Sequence, residues 1–267
     1  MADRYAVIGH PVAHSKSPWI HAEFARAANQ AIEYQRIEAP LDGFARAVDE
    51  FRAAGGRGAN VTLPFKGQAF QYCGDAVSAR ARAAGVVNTL IFADSGVRGD
   101  NTDGVGLLRD IAVNLGRAIA GKRVLLMGAG GAAQGVLGPL LAAAPLRLAV
   151  ANRTGAKARA LALRYGAAAG GGYEEFAGER FDLVINATSA GLADEAPRLP
   201  AGAFAPGALG YDLVYGRDTP FMAAARAAGA QACDGSGMLV EQAAESFLLW
   251  RGLRPDTAPV LAALRRG

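Results

Sequence analysis

Lys66 and Asp103 each lie in a polar segment that follows an apolar, strand-like run: Asn60-Val61-Thr62-Leu63-Pro64-Phe65-Lys66 and Asp100-Asn101-Thr102-Asp103-Gly104. An ammonium and a carboxylate brought together can exchange a proton with an alcohol or a ketone, as hydride transfer at a C–O centre requires. A lone lysine is a poor base at neutral pH, its ordinary pKa being about 10.4. Burial would favour the neutral amine and a neighbouring carboxylate the ammonium. The two side chains are therefore read as one coupled pair, with the proton assigned to neither alone. The ammonium would also stabilise a developing alkoxide. The plain alternative for Asp103 is a cap on the helix expected from Thr102.

Two more polar clusters end apolar runs: Gly9-His10-Pro11-Val12-Ala13-His14-Ser15-Lys16-Ser17-Pro18 and Val87-Asn88-Thr89. Strand ends of open α/β sheets are where ligands bind. Hydroxyls, amides, one lysine and one aspartate suit a small, hydroxyl-rich ligand. His10, His14 and His21 are the only histidines, without a further ligand type beside them, so no metal site is expected. The two cysteines, Cys73 and Cys233, are far apart and lack metal or redox spacing; free thiols are expected.

A second kind of chemistry is written in Gly128-Ala129-Gly130-Gly131-Ala132-Ala133, directly after the apolar run Lys122 to Met127. The first glycine permits a tight turn, and the second lets backbone approach a pyrophosphate at a helix N-terminus. Ala133 stands where a third glycine serves helix–strand packing. The next strand ends in Ala151-Asn152-Arg153-Thr154, with Lys157 following. A carboxylate there would bind a ribose 2′-hydroxyl, and none is present. Two cations at a helix start oppose the helix dipole, which points to a bound anion, the 2′-phosphate of NADP. An ordinary glycine-rich turn and a solvated basic helix start are the plain alternatives.

These groups need a framework. Strands are expected at Tyr5 to Gly9, Glu33 to Ile37 and Gly58 to Leu63, and a hairpin at Val86 to Phe92 with Val97 to Asp100. Helices are expected from Ser17, as an N-cap before Pro18, to Asn29, and from Leu41 to Ala54. A helix from Thr102 to Leu115 leads into alternating elements. Strands there are Lys122 to Met127, Arg147 to Ala151, Phe181 to Ala187, Ala208 to Leu213 and Ala230 to Cys233. Helices follow the glycine turn, Thr154 and Thr219-Pro220. Such alternation specifies a doubly wound parallel sheet. Gly237 to Gly267 reads as two helices.

With 267 residues, 51% hydrophobic and 19% charged, the chain can build two ordinary cores, which argues against disorder. No apolar run reaches the roughly 18 residues of a membrane span, and no secretory leader is recognisable, so a cytoplasmic protein is expected. The net charge of +4 is scattered rather than massed, which argues against nucleic acid as a partner.

Seven motifs in order carry a specific resemblance: Gly9-x-Pro-x-x-His-Ser-x-Ser-Pro18, Asn60-Val-Thr-x-Pro-x-Lys66, Gly99-Asp-Asn-Thr-Asp-Gly104, Gly128-Ala-Gly-Gly-Ala-Ala133, Asn152-Arg-Thr154, Asn186-Ala-Thr-Ser189 and Gly237-Met-Leu-x-x-Gln242. Along nearly its whole length the chain resembles the shikimate dehydrogenase family. The resemblance implies an α/β substrate domain, 1–103 completed by 237–267, and a Rossmann-type NADP domain, 104–236. It implies reversible NADPH-dependent reduction of 3-dehydroshikimate to shikimate, in the biosynthesis of chorismate and the aromatic amino acids. By motif match, Ser15 and Ser17 would hold the substrate carboxylate, and Thr62, Asn88, Asp103 and Gln242 the ring hydroxyls. Lys66 and Asp103 would flank the reacting C–O, and Tyr215 would close near the carboxylate. The cofactor set would be Gly128, Ala129, Gly130, Gly131, Ala132, Asn152, Arg153, Thr154, Lys157, Thr188, Ser189, Leu213, Gly235 and Met238. A quinate/shikimate or aminoshikimate dehydrogenase, or a non-catalytic NADP-binding regulator on the same fold, are the alternatives. The expected partner is the small-molecule substrate, with a monomer or a homodimer as the assembly.

Overall fold

The computed structural model describes residues 2–166, 169–188 and 198–266. These divide into two compact units, Met1–Gly106 with Leu239–Gly267, and Leu107–Met238. Among the described residues no helix is long and apolar enough to cross a membrane.

The first unit is built on a five-stranded sheet. Its strands are β1 (Asp3–Gly9), β2 (Ile32–Glu38), β3 (Gly56–Val61), β4 (Thr89–Ala93) and β5 (Gly96–Asp100), in spatial order β2-β1-β3-β4-β5. The first three run parallel, and β4 and β5 add antiparallel strands. Helices α1 (Ser17–Ala27), α2 (Phe44–Ala53), α3 (Lys66–Cys73) and α4 (Ala79–Ala84) connect them. Ile8, Phe44, Val48, Val61, Phe65 and Leu90 form one apolar core. Ile20, Phe24, Val240, Phe247 and Leu261 form another around the C-terminal helices.

The second unit carries a parallel sheet of β6 (Arg123–Met127), β7 (Arg147–Ala151), β8 (Ala169–Gly171), β9 (Phe181–Asn186), β10 (Phe204–Asp212) and β11 (Gln231–Cys233). The order β11-β10-β9-β6-β7-β8 reverses direction between β6 and β9, so the strand-end crevice at that switch point is the expected ligand site. Val124 to Met127, Leu148 to Ala151 and Leu183 to Ile185 are buried, as strands covered on both faces must be. Helices α5 (Asp103–Arg109), α6 (Gly131–Ala142), α7 (Gly155–Tyr165), α8 (Pro220–Ala227), α9 (Ser236–Arg251) and α10 (Ala258–Leu264) complete the chain.

Several expectations change. Ser17 is not the N-cap of α1: Lys16 holds that position, Ser17 is the first helical residue, and the Ser17 amide donates to Ser15 Oγ at 3.3 Å. Helix α2 starts at Phe44 rather than Leu41. The helix expected from Thr102 to Leu115 ends in α-helical form at Arg109. It continues as a wider turn, Asp110–Asn114, closed by Leu115 N–H to the Asp110 carbonyl at 2.9 Å.

Candidate active site

Lys66 opens α3 and Asp103 opens α5, and backbone pairing brings the two helix starts together. The Val87 amide donates to the Lys66 carbonyl and the Asn88 amide to the Asp100 carbonyl, both at 3.0 Å, so the Val87-Asn88 segment bridges them. Lys66 Nζ then donates to Asp103 Oδ2 at 2.6 Å, with side chains 14% and 5% exposed. The other carboxylate oxygen accepts from Asn88 Nδ2 at 2.9 Å. Asp103 is thus engaged by side chains of two other elements rather than serving as a helix cap. A lysine at a helix N-terminus opposes the macrodipole, and the carboxylate opposite offsets that cost. A largely desolvated ion pair contributes little net stability, so its presence calls for a chemical use.

Asn88 is the centre of the surrounding network. Its Oδ1 accepts from the Thr102 amide at 2.8 Å and the Thr89 hydroxyl at 2.9 Å. Gln242, on α9, places Oε1 at 3.4 Å from both Asn88 Nδ2 and Thr102 Oγ1. One helical turn on, Ser246 Oγ accepts from Asn60 Nδ2 at 2.9 Å. Asn60 stands opposite Thr89 in the β3–β4 register, and Thr89 opposite Asp100 in β4–β5, so three neighbouring strands present polar side chains at one level. Tyr34 donates to Asn60 Oδ1 at 2.8 Å. Burial pushes this phenol well above the usual tyrosine range, the neighbouring Ser17 hydroxyl opposing. The sequence marks Asn60 and Thr89 only as members of polar clusters and does not single out Tyr34 or Ser246. The i, i+4 spacing of Gln242 and Ser246 on one helix was the available signal.

Ser15 and Ser17 are buried, at 6% and 5% exposure. The Arg36 guanidinium donates twice to the Ser15 carbonyl, from Nε at 3.0 Å and Nη2 at 2.6 Å, pinning this loop. Because Ser15 Oγ accepts the Ser17 amide, its own proton is left to donate to an anion. Thr62, half-buried, follows β3 and is held by its amide on the Ile8 carbonyl at 2.9 Å. Gly9 lies against it, and a Cβ there would collide with the Thr62 methyl.

In the second unit, Gly128 follows β6 with φ +110°, and a Cβ would sit 2.8 Å from the Ala187 carbonyl oxygen, so glycine is required there. Gly130 is the N-cap of α6 with an ordinary extended backbone, and a Cβ on it would meet, beyond its chain neighbours, no atom of the described residues within 4 Å. Its glycine is not required by the protein's own packing; it leaves room for an approaching group. Gly131, Ala132 and Ala133 are the first residues of α6, whose amides face outward from the helix start. Ala133 is fully buried, as a helix–strand contact requires. Ala129 is half-buried beside them.

Beyond β7, Asn152 Nδ2 donates to the Thr154 carbonyl at 3.1 Å, shaping the turn into α7. Arg153 and Lys157 are exposed, and neither forms an ion pair among the described residues. Two free cations, an absent carboxylate and an open glycine at a helix start together fit a 2′-phosphorylated dinucleotide. Thr188 donates to Asn186 Oδ1 through both its amide, at 3.2 Å, and its hydroxyl, at 2.7 Å. Leu213 and Tyr215 follow β10, Gly235 precedes α9, and the Met238 side chain packs into the apolar core. Ser189 lies outside the described residues.

Three family profiles match in succession: the shikimate dehydrogenase substrate binding domain over residues 7–90, shikimate/quinate 5-dehydrogenase over 110–193 and the shikimate 5′-dehydrogenase C-terminal domain over 235–265. The NADP(+) shikimate dehydrogenase of Aromatoleum aromaticum is 61% identical over 272 residues, covering 99% of this chain and 97% of the relative. That of Methylobacillus flagellatus is 58% identical over 268 residues, covering 98% and 99%. Among solved structures, the shikimate 5-dehydrogenase of Thermus thermophilus in complex with NADP(H) and shikimate is 37% identical, with a TM-score of 0.88 and 99% of each chain covered. A buried lysine–aspartate pair in one unit, an open glycine turn with two cations unpaired among the described residues in the other, and full-length relatives of one kind lead to a single assignment: the chain belongs to the shikimate dehydrogenase family.

Proposed function

We propose that this chain is an NADP-dependent shikimate dehydrogenase, reducing 3-dehydroshikimate to shikimate and running in reverse when shikimate is in excess. The observation that carries this reading is the 2.6 Å Lys66–Asp103 pair beside the amides and hydroxyls of Asn88, Thr102 and Gln242. The first unit is the substrate domain and the second the cofactor domain, in a cytoplasmic enzyme.

NADP(H), when bound, supplies the hydride acceptor or donor. The protein's work is binding and proton transfer. Ser15 and Ser17 donate hydroxyl protons to the ring carboxylate, and Arg36 fixes their loop. Thr62, Asn88, Asp103 and Gln242 sort ring hydroxyls by pairing donors with acceptors, which rejects ligands that leave a buried polar group unmatched. In the oxidative direction the hydroxyl proton passes to the Lys66–Asp103 pair; in the reductive direction the pair returns it to the nascent alkoxide, which the ammonium stabilises. Gly128 to Ala132 would cradle the pyrophosphate, and Asn152, Arg153, Thr154 and Lys157 would hold the 2′-phosphate side. Thr188, Leu213, Gly235 and Met238 would line the remainder of the cofactor site.

The test is a steady-state assay of the purified chain, following NADPH absorbance with shikimate and quinate, each with NADP and NAD. Turnover highest for shikimate with NADP is expected; binding of NADP without turnover of any ring acid would mark a non-catalytic NADP protein instead.

A further inference from the structure

In the second unit the loops that follow β9, β10 and β11 are tied together by two carboxylates, neither of them among the cofactor contacts assigned above. Asp212 ends β10 and is fully buried. Its Oδ1 accepts from Asn186 Nδ2 at 3.2 Å and from the Val214 amide at 3.1 Å, and its Oδ2 accepts from the Thr219 hydroxyl at 2.6 Å. Asn186 ends β9, paired with Asp212 in register, and its free Oδ1 holds Thr188 by amide and hydroxyl. The Leu213 amide donates to the Asn186 carbonyl at 3.0 Å. Asp234, after β11, accepts from the Gly216 amide at 2.8 Å and from the Ser236 hydroxyl at 2.7 Å, while the Gly235 amide donates to the Val214 carbonyl at 2.9 Å.

The pattern is directional. Asn186 can present its amide oxygen to Thr188 only while its nitrogen is turned toward an acceptor, and Asp212 is that acceptor. The same Asp212 oxygen sets the turn that carries Leu213 and Val214. One buried carboxylate therefore fixes two of the three loops on the β9 side of the switch point, where the second half of a dinucleotide lies in this sheet topology. Burial raises the Asp212 pKa against its three donors, so the site retains a costly desolvated acid for the sake of those contacts.

We infer that Asp212 is a positioning residue for the cofactor: acting through Asn186 and the Val214 amide, it holds Thr188 and Leu213 in the conformation that receives the nicotinamide half of NADP(H). This rests on the cofactor reading above. It makes the affinity for NADPH, rather than only the stability of the fold, depend on an acceptor oxygen at position 212.

The experiment titrates NADPH, by its fluorescence, onto the full chain and its Asp212→Ala, Asp212→Asn and Thr219→Val variants, with thermal melts in parallel. Asp212→Ala is expected to weaken NADPH by about tenfold, the scale of leaving a buried donor unmatched. Asp212→Asn keeps a carbonyl oxygen for Asn186 and Val214 and is expected to restore affinity to within about threefold of wild type. Thr219→Val loses the helix cap on α8 and one donor to Asp212; it is expected to lower Tm with NADPH affinity retained. Unchanged affinity in Asp212→Ala, or losses that simply follow Tm across the three variants, would overturn the inference. Should Asp212→Ala not fold, Asn186→Ala severs the same path, and unchanged NADPH affinity there overturns it equally. Wild-type protein that binds no NADPH would remove the underlying cofactor reading as well, whereas wild-type binding with indifferent variants removes this inference alone.

Discussion

The Lys66–Asp103 region and the Gly128–Ala132 region, proposed above as substrate and cofactor sites, are built in opposite ways. Around Asp103 the polar side chains already have protein partners: Lys66 on α3, Gln242 and Ser246 on α9, and Asn88 and Thr102 in the segments before β4 and α5 form one hydrogen-bonded network with it. Around Gly130 the space is open: beyond its chain neighbours, no atom of the described residues lies within 4 Å of where a Cβ would be. The first region is made by side chains whose geometry other side chains enforce. The second is made by their absence, with backbone amides at a helix start. A site that must move a proton needs groups held in fixed orientation, whereas one that must accept a pyrophosphate needs room and a positive helix end.

That contrast can be broken experimentally. Lys66→Ala is expected to lower kcat by about 10²-fold or more, as for loss of acid–base catalysis, with a modest change in KM for shikimate; a near-normal kcat would take Lys66 out of the proton path. A pH series tests the interior beneath the knitted region. His21 is fully buried, stacked on Tyr34 at 4.4 Å between ring centroids, and neither ring nitrogen has a hydrogen-bond partner among the described residues. Burial holds its pKa down to about 3, the nearby Asn60 amide opposing. The unfolded chain takes up this proton near the ordinary value of 6.5. The stabilisation from neutral His21 is therefore complete above that value and is lost as pH falls from there toward 3. The loss expected at pH 5 is about 2 kcal/mol. Urea midpoints should fall with pH in wild type and fall less in His21→Phe; parallel slopes would remove His21 as the cause.

In the open region, Gly130→Val is expected to weaken NADPH by about tenfold with only the small loss of Tm that a poorer N-cap brings, because a Cβ there meets no atom of the described residues beyond its chain neighbours within 4 Å. Gly128→Ala should instead lower Tm, since φ +110° and the Ala187 carbonyl both oppose a Cβ. Equal behaviour of the two variants would erase the distinction. The smallest effect expected is from Arg153→Ala, a rise of about fivefold in KM for NADP and none for NAD, the scale of a partly screened charge-assisted contact. An equal change with both cofactors would detach Arg153 from the 2′-phosphate.

Much of this was legible without coordinates. The strands of the second unit and the glycine turn were readable because buried parallel strands are short continuous apolar runs punctuated by turn residues. The segments carrying Lys66, Asn88 and Asp103 stood out as polar clusters at strand ends. Helix α4 was missed because Ala79-Arg-Ala-Arg-Ala-Ala84 has only alanine methyls to mark a face. Strand β8 was missed because Ala-Gly-Gly has little intrinsic preference for extension and is held by pairing with β7. Ser17 was misplaced as a cap because serine before proline is a common helix start, whereas here Ser15, two residues earlier, accepts the amide.

By itself the sequence determined which residue types stand at strand ends, where glycine must be, and that no acid follows β7. Those are local properties, set by side-chain chemistry and backbone sterics within a few residues. Tertiary structure decided the contacts themselves, the 2.6 Å approach of Lys66 to Asp103 thirty-seven positions away with Gln242 beside them, and it alone brought in Ser246 and set Asp212 against Asn186. These contacts depend on strand order and register, which arise from burying whole faces at once and leave no mark at any single position.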